Sequence, residues 1–444
     1  MKVRVLCRNP ADYVRETKSD VRRLPRNYDP SLHPFELERE YTRALNAVKV
    51  ERLLSKPFVG SLSGHREGVC CMARTPARLS LFASGSYDGE IRLWNLMERK
   101  CIKVISGAHA SSVRAVTFID DQERIVTCGE DSHIKEWDVS TGCCVNCIVS
   151  GSAVMGVDAS LGTGRLVSCG SDGVYVWDRT RNEPVASWRS VASHTCVRAS
   201  CIEPNYALSC ASDRSVHLYD LRSSEPVRRL VLRMCSSGAC WSTMEASVFS
   251  LANDDHNLYT FDMRKLSEAL VVHEDNTAAV MDVDYNPNGT EIASAGYDRT
   301  VRIYGRHSGH SRDVYHTKRM QRVICVKWTA DTRYILTGSD EMDIRMWKAN
   351  ASEKLGFVHP RQREALAYNE ALKEKFAAFP EVKRIKQHRH VPKFILQAKR
   401  ERHEHLQSQR KKETNRKLHR KHNKSTNNND LPSARKRVVV NHEL

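Results

Sequence analysis

The sequence predicts an all-β fold: a seven-bladed β-propeller with an N-terminal arm and a basic α-helical C-terminal extension. Three observations carry this reading. One motif recurs seven times, in which small residues and an acidic turn lead into an alternating apolar strand that ends on an aromatic. The aromatics stand at 94, 137, 177, 219, 261, 304 and 347, spaced by 43, 40, 42, 42, 43 and 43 residues. A fixed period of that length is one four-stranded unit repeated around a ring. Charge is the third observation. Of a net +17, residues 58–347 hold 32 Lys/Arg against 35 Asp/Glu, whereas residues 348–444 hold 25 against 10.

The repeats follow one another without a gap. The first reads Ser84-Gly85-Ser86-Tyr87-Asp88 into Ile91, Leu93 and Trp94, and the second Thr127-Cys128-Gly129-Glu130-Asp131 into Trp137-Asp138. The third is Ser168-Cys169-Gly170-Ser171-Asp172 into Trp177-Asp178, the fourth Ser212-Asp213 to Tyr219-Asp220, and the fifth Asp254-Asp255 to Phe261-Asp262. Gly296-Tyr297-Asp298 to Tyr304 and Gly338-Ser339-Asp340 to Trp347 complete the set. An Asp in such a turn accepts hydrogen bonds from the local backbone, and the apolar alternation after it marks a strand.

Period and pattern resemble WD repeats, whose consensus joins a loop His, a second-strand Ser or Thr, the turn Asp and the Trp in a buried network. His65, Ser84, Asp88 and Trp94 fit those roles, as do His109, Thr127, Asp131 and Trp137. His194, Ser209, Asp213 and Tyr219 form a weaker third set. The sixth repeat has Asn276 where the His would be, and the third, fifth and seventh show no clear equivalent. A ring must also close. Phe58–Leu62 reads as an outer strand and the last repeat has only three of its own, so this segment is expected to complete the seventh blade.

Repetition argues against reading these Ser, His and Asp residues as catalytic, because a triad occurs once and exposes its nucleophile. There is no Gly-x-Ser-x-Gly elbow and no phosphate-binding loop. Cys144 and Cys147 have metal-pair spacing but no second pair to complete four ligands. No catalytic residue, metal, cofactor or small-molecule substrate is therefore expected. An odd count of fifteen cysteines, without a secretory signal, argues for reduced thiols in cytosol or nucleus, with Cys128, Cys169 and Cys210 as core residues. No apolar run is long enough for a membrane span.

Residues 1–56 read as an arm outside the 57–347 propeller. Asn9-Pro10, Pro25, Tyr28-Asp29-Pro30 and His33-Pro34 mark turns, and Leu37, Tyr41, Leu45 and Val48 an amphipathic helix. In the tail, 348–444, one helix is expected from Pro360 to Pro380, with an apolar stripe at Ala365, Tyr368, Leu372, Phe376 and Phe379 that packs on its own chain. The bases Lys383, Arg384, Lys386 and Arg389 follow. A long polar helix then runs from about Lys393 to Lys421, carrying Lys393, Lys399, Arg400, Arg402, Arg410, Lys411, Lys412, Arg416, Lys417, Arg420 and Lys421. Asn427-Asn428-Asn429 and Arg435-Lys436-Arg437 read as disordered. A helix so polar is solvated or ordered by a polyanion, and all these bases, Arg435, Lys436 and Arg437 included, are candidate RNA phosphate contacts.

Several stretches outside the repeats resemble the Sof family of WD-repeat proteins. They include Arg8-Asn9-Pro10, Pro25-Arg26-Asn27-Tyr28-Asp29-Pro30, Arg43-Ala44-Leu45-Asn46-Ala47 and Val314-Tyr315-His316-Thr317-Lys318-Arg319-Met320-Gln321. Gly338-Ser339-Asp340-Glu341-Met342, Trp347-Lys348-Ala349-Asn350-Ala351-Ser352 and His388-Arg389-His390-Val391-Pro392-Lys393 extend the likeness into the tail. The resemblance implies a nucleolar, non-catalytic assembly factor of the small-subunit processome. Its partners would be pre-rRNA, the box C/D small nucleolar ribonucleoprotein and other processome proteins, and its task processing towards 18S rRNA. It also implies a second role, as substrate receptor of a cullin-RING ubiquitin ligase through a Trp-Asp-x-Arg box. Here the box is relaxed to Tyr219-Asp220-Leu221-Arg222 and Phe261-Asp262-Met263-Arg264, leaving Asp220, Arg222, Asp262 and Arg264 as adaptor contacts.

Overall fold

The computed structural model describes residues 30–75, 78–119, 124–160, 162–419 and 434–443. They form two compact units: residues 30–57 with 350–389, and residues 58–349 with 390–443. The arm and the first part of the tail, read from sequence as separate extensions, thus fold together.

Seven antiparallel sheets make up the larger unit. Blade 1 runs from the inner strand Val69–Arg74 through Leu81–Ser86 and Ile91–Asn95 to the outer strand Lys100–Ile105. Burial follows position in the blade. Every residue of Leu81–Ser86 is buried, as a second strand sandwiched between two blades must be, whereas Lys100–Ile105 exposes alternate residues to water. Blades 2, 3, 5 and 6 repeat this order over residues 113–149, 154–189, 236–273 and 280–315.

The turn between second and third strands is the same device in most blades. A carboxylate Oδ1 accepts the backbone N–H two residues on in five blades: Asp88 from Glu90 at 2.9 Å, Asp131 from His133 at 3.3 Å, Asp213 from Ser215 at 2.9 Å, Asp255 from Asn257 at 3.0 Å and Asp298 from Thr300 at 3.0 Å. The residue between is left-handed; Gly89, at φ 78°, takes it without cost, and a Cβ there would meet the His109 carbonyl at 2.5 Å. In blade 7 the residue in phase is Glu341, before the left-handed Met342, and not Asp340.

Blade 7 closes the ring. Its strands Val323–Trp328, Tyr334–Ser339 and Ile344–Lys348 receive Phe58–Leu62 as the outer strand, with Leu62 opposite Ile344 and Phe58 opposite Trp347. Blade 4 holds an unexpected fifth strand. Val439–Glu443 pairs antiparallel with the outer strand Pro226–Leu232, placing His442 opposite Leu230 and Val439 opposite Leu232. Val438 is buried with Leu230, Leu232 and Leu266. The reading of disorder towards the end is corrected for this stretch: Ala434–Arg437 is a helical turn and 439–443 a strand. Three consecutive valines after the basic cluster supply an apolar edge that composition averaged over the tail concealed.

The smaller unit packs α1 (Glu36–Leu54) against α2 (Pro360–Lys375) and α3 (Pro380–Gln387) around Ala44, Val48, Leu372, Phe376 and Val382. Tyr41 lies against the rings of Phe376 and Phe379, and Glu51 pairs with Lys373 at 2.8 Å. The single helix expected from Pro360 to Pro380 ends at Lys375. Phe379 precedes a proline and is held extended, at ψ 132°, so Pro380 starts a new helix. Of the apolar stripe, Leu372 and Phe376 are buried, while Ala365, Tyr368 and Phe379 are exposed. The turns expected before Pro30 lie outside the described residues.

Candidate nucleic-acid interface

The blade networks set what the ring itself offers. Blade 2 has the full set: His109 Nδ1 to Asp131 at 3.0 Å, His109 Nε2 to Thr127 Oγ1 at 2.8 Å, and Trp137 Nε1 donating to Thr127 at 2.9 Å. In blade 1 His65 Nε2 meets Ser84 at 2.7 Å and Trp94 donates to Ser84 at 2.8 Å, but among the described residues His65 Nδ1 has no hydrogen-bond partner, and Asp88 accepts the backbone N–H groups of Glu90 and, at 3.2 Å, of Arg66 on the incoming loop. Blade 4 is similar. His194 Nδ1 meets Ser209 at 3.0 Å and Tyr219 lies at 3.3 Å from the same hydroxyl, while Asp213 holds Ser215 and Arg229.

Sequence reasoning missed two related pairs. Trp177 donates to Ser168 at 2.7 Å and Trp347 to Thr337 at 2.9 Å. Their hydroxyls stand nine and ten residues before the Trp, as Ser84 and Thr127 do at ten, so the spacing carried the signal. Blade 5 uses another chain, from His273 Nε2 to Thr260 at 3.1 Å, to Ser250 at 2.8 Å, and on to the Tyr285 hydroxyl at 2.7 Å.

Burial lowers the pKa of each of these histidines, which favours the neutral ring. Burial pushes His65 and His273 down to about 4, for His65 with the Arg92 charge assisting. The sign follows: the folded imidazole binds a proton less readily than the unfolded one, so this stability is complete above about 6.5 and is lost as pH falls towards 4. A His65→Gln variant is expected to lose roughly 1–3 kcal/mol less between pH 7 and pH 4.5 than the parent. Equal acid sensitivity in urea titrations at the two pH values would refute this assignment.

A cavity of about 350 Å³ runs along the ring axis, lined by inner-strand residues including Cys70, Arg114, Cys196, Arg198, Asp282 and Lys327. Buried charges gather beside it. Asp284 meets Lys327 Nζ at 3.1 Å, Arg74 at 3.2 Å and the Trp328 N–H at 2.8 Å. Burial works to raise the Asp284 pKa, but the two cations outweigh it and hold the carboxyl below the ordinary range. Asp282-Val283-Asp284 on a strand placed both carboxylates on one face; the alternation was visible, and its partners were not.

The tail's long helix, α4 (Lys393–Leu418), belongs to the ring unit. Ile395 is buried. Lys399 Nζ meets Asp275 at 2.7 Å, and Arg402 donates to the Asp255 carbonyl at 3.1 Å, to Asn257 Oδ1 at 2.9 Å and to the Asn276 carbonyl. Lys399 and Arg402, read from sequence as phosphate contacts, are therefore engaged by the ring. Lys393, Arg400, Arg410, Lys411, Lys412 and Arg416 are exposed on α4, as are Lys383, Arg384 and Lys386 on α3 and Arg435 and Lys436 near the C-terminus. Arg389 is half-buried, and Arg437 lies 3.9 Å from Glu413. Arg420, Lys421 and Asn427–Asn429 lie outside the described residues, as does the side chain of Lys417.

Asp255 and Asn257 sit in the turn between second and third strands of blade 5, and Asp275 and Asn276 in the loop from blade 5 to blade 6. Arg222 and Arg264 sit in turns between third and fourth strands of blades 4 and 5. Antiparallel order places those turns on the opposite face of the ring. Arg222 is exposed and paired with Asp220 at 3.0 Å; Arg264 is exposed and its N–H caps Asp262 at 3.0 Å.

Comparison with known proteins agrees with this architecture. A family described as "WD domain, G-beta repeat" matches residues 56–95, 99–138, 265–305 and 307–348, and one described as "Sof1-like domain" matches 349–439. "DDB1- and CUL4-associated factor 13" of Danio rerio is 48% identical over 428 residues, 95% of this chain and 96% of its own length. The chain belongs to the Sof1-like family. Within that family, the Homo sapiens protein of the same description is 47% identical over 429 residues, again 95% and 96% of the two chains. "Protein SOF1" of Saccharomyces cerevisiae is 37% identical over 473 residues, covering 99% and 94%. The Sof1-like stretch is shared between the two units, since the break at 389/390 falls inside it.

Proposed function

We propose that this chain is a non-catalytic ribosome-assembly factor of the nucleolus, a component of the small-subunit processome that helps process pre-rRNA towards 18S rRNA. Its propeller binds proteins and its basic tail binds RNA, pre-rRNA or the guide RNA of a box C/D particle. The observation that carries the reading is α4, whose exposed lysines and arginines stand on a helix with almost no apolar face of its own. Likeness to the yeast Sof1 protein along nearly its whole length supports it. A helix of this kind gains from phosphate neutralisation, which releases counterions and makes binding salt-dependent.

The test replaces Lys393, Arg400, Arg410, Lys411, Lys412 and Arg416 by Gln in the full chain. The expected result is loss of co-sedimentation with large pre-ribosomal particles. In vitro, the log–log salt slope for a single-stranded RNA should fall by at least about 2, at roughly 0.7 per lost contact. If particle association and salt slope both stay as in the parent, the tail does not bind RNA.

A second reading, receptor for a cullin-RING ligase, draws on the name of the vertebrate relatives and on Arg222 and Arg264. These arginines occupy the face opposite α4, so the two roles do not compete for one surface. Arg222 is already paired with Asp220, and an adaptor carboxylate would have to share it.

A further inference from the structure

The ring holds α4 by two of its cations, and the helix geometry then decides which others face outward. Asp275 is the key residue. Its carboxylate is almost fully buried, and one oxygen accepts the Ser311 N–H at 2.9 Å and Oγ at 3.0 Å. The other oxygen meets Lys399, with His310 Nδ1 at 3.4 Å. Burial works to raise its pKa, yet Lys399 and Ser311 prevail and hold it below the ordinary range. Asp275 also has φ 135°, a strained backbone for a residue with a side chain, and the neighbouring Asn276 amide is buried with neither polar atom hydrogen-bonded among the described residues. This is the loop where blade 6 lacks its histidine. Arg402, donating to the Asn276 carbonyl, braces from outside what other blades brace from within.

A helix advances about 100° and 1.5 Å per residue. Ile395, Lys399 and Arg402 therefore lie on the docked side, and so does Glu413, beside Arg437. Lys393, Arg400 and Lys411 fall within about 20° of one another on the far side, spaced by roughly 10 and 16 Å. All three are exposed and make no hydrogen bond or ion pair among the described residues. Glu404 lies close to that line, between Arg400 and Lys411. The strand Val439–Glu443 on blade 4 ties down the chain beyond α4.

We propose that α4 is a docked strut and not a free tail: Lys399 and Arg402 are positioning residues held by the blade 5–6 loops, and the outward stripe Lys393, Arg400 and Lys411 makes the RNA phosphate contacts. The proposal rests on the RNA reading above for its second half only. The first half, docking, stands or falls by itself.

The experiment compares full-length variants by RNA anisotropy with a 20-nucleotide poly-uridine probe over a salt series, and by amide hydrogen exchange across α4. The triple variant Lys393→Gln, Arg400→Gln, Lys411→Gln is expected to lower the salt slope by about 2 and leave α4 exchange unchanged. The double variant Lys399→Gln, Arg402→Gln is expected to leave the slope unchanged while α4 exchanges at least about ten-fold faster. Lys399→Arg should restore most of the protection when Arg402 is kept. Unchanged exchange in the double variant overturns docking. A slope loss in the double variant equal to that of the triple overturns the division of roles. If the parent binds no RNA, or if poly-glutamate displaces the probe at equal charge concentration, the RNA stripe falls while exchange still decides the docking.

Discussion

Deleting residues 1–62 lowers the melting temperature of the ring far more than deleting residues 1–57. Both truncations remove α1 and expose Leu372, Phe376 and Val382 alike, so their difference isolates the strand Phe58–Leu62. That strand is the last hydrogen-bonded member of blade 7. Without it Ile344–Lys348 becomes an open edge, Trp347 loses the edge-on contact with Phe58 at 5.6 Å, and the site of the fully buried Leu62 empties. Leu62 alone corresponds to about 1.5–3 kcal/mol of burial, and an unpaired hydrophobic strand adds an aggregation hazard. A difference of at least about 3 kcal/mol in unfolding free energy is expected from denaturant curves of equal slope. Superimposable curves for the two truncations would mean that the ring does not depend on this closure.

Legibility differed between parts for physical reasons. The ring was readable because each blade repeats one solution to one problem: the spacing of Trp94, Trp137 and Trp347 reports a strand count, and the turn Asp reports a local backbone need. The strand Phe58–Leu62 was readable because a ring of repeats with three strands left over at one end requires a fourth. The His–Asp links were less so. His65 and Asp88 are present in order, but whether an imidazole turns its Nδ1 towards a carboxylate depends on packing, and here the Asp88 carboxylate is taken by the backbone N–H groups of Glu90 and Arg66. The tail was the least legible part. Lys399 and Arg402 look in sequence like any other base on α4, and only partners more than a hundred residues earlier, Asp275 for Lys399 and Asp255, Asn257 and Asn276 for Arg402, separate them. Val438 hid for the opposite reason, a short apolar run after a basic cluster that local composition swamps.

The buried charges beside the channel carry the second large effect. Asp284→Asn is expected to destabilise the ring by about 3–5 kcal/mol, although the two side chains are nearly isosteric. The amide oxygen still accepts the Trp328 N–H, so hydrogen bonding is not what is lost. What remains is Lys327 and Arg74, two part-buried cations placed around a buried neutral group. In the parent, burial works to lower the Lys327 pKa and Asp284 outweighs it, keeping the ammonium charged. In the variant only burial and the neighbouring cations act, so Lys327 is pushed down. A group whose folded pKa is depressed contributes stability at high pH that is lost as pH falls. The deficit of the variant should therefore shrink as pH rises from 7 towards the ordinary lysine value of about 10.4. Adding Lys327→Met should recover at least about 1 kcal/mol, because it removes the stranded charge. A deficit that is insensitive both to pH and to Lys327→Met would show that Asp284 acts through its shape and hydrogen bonds and not through its charge.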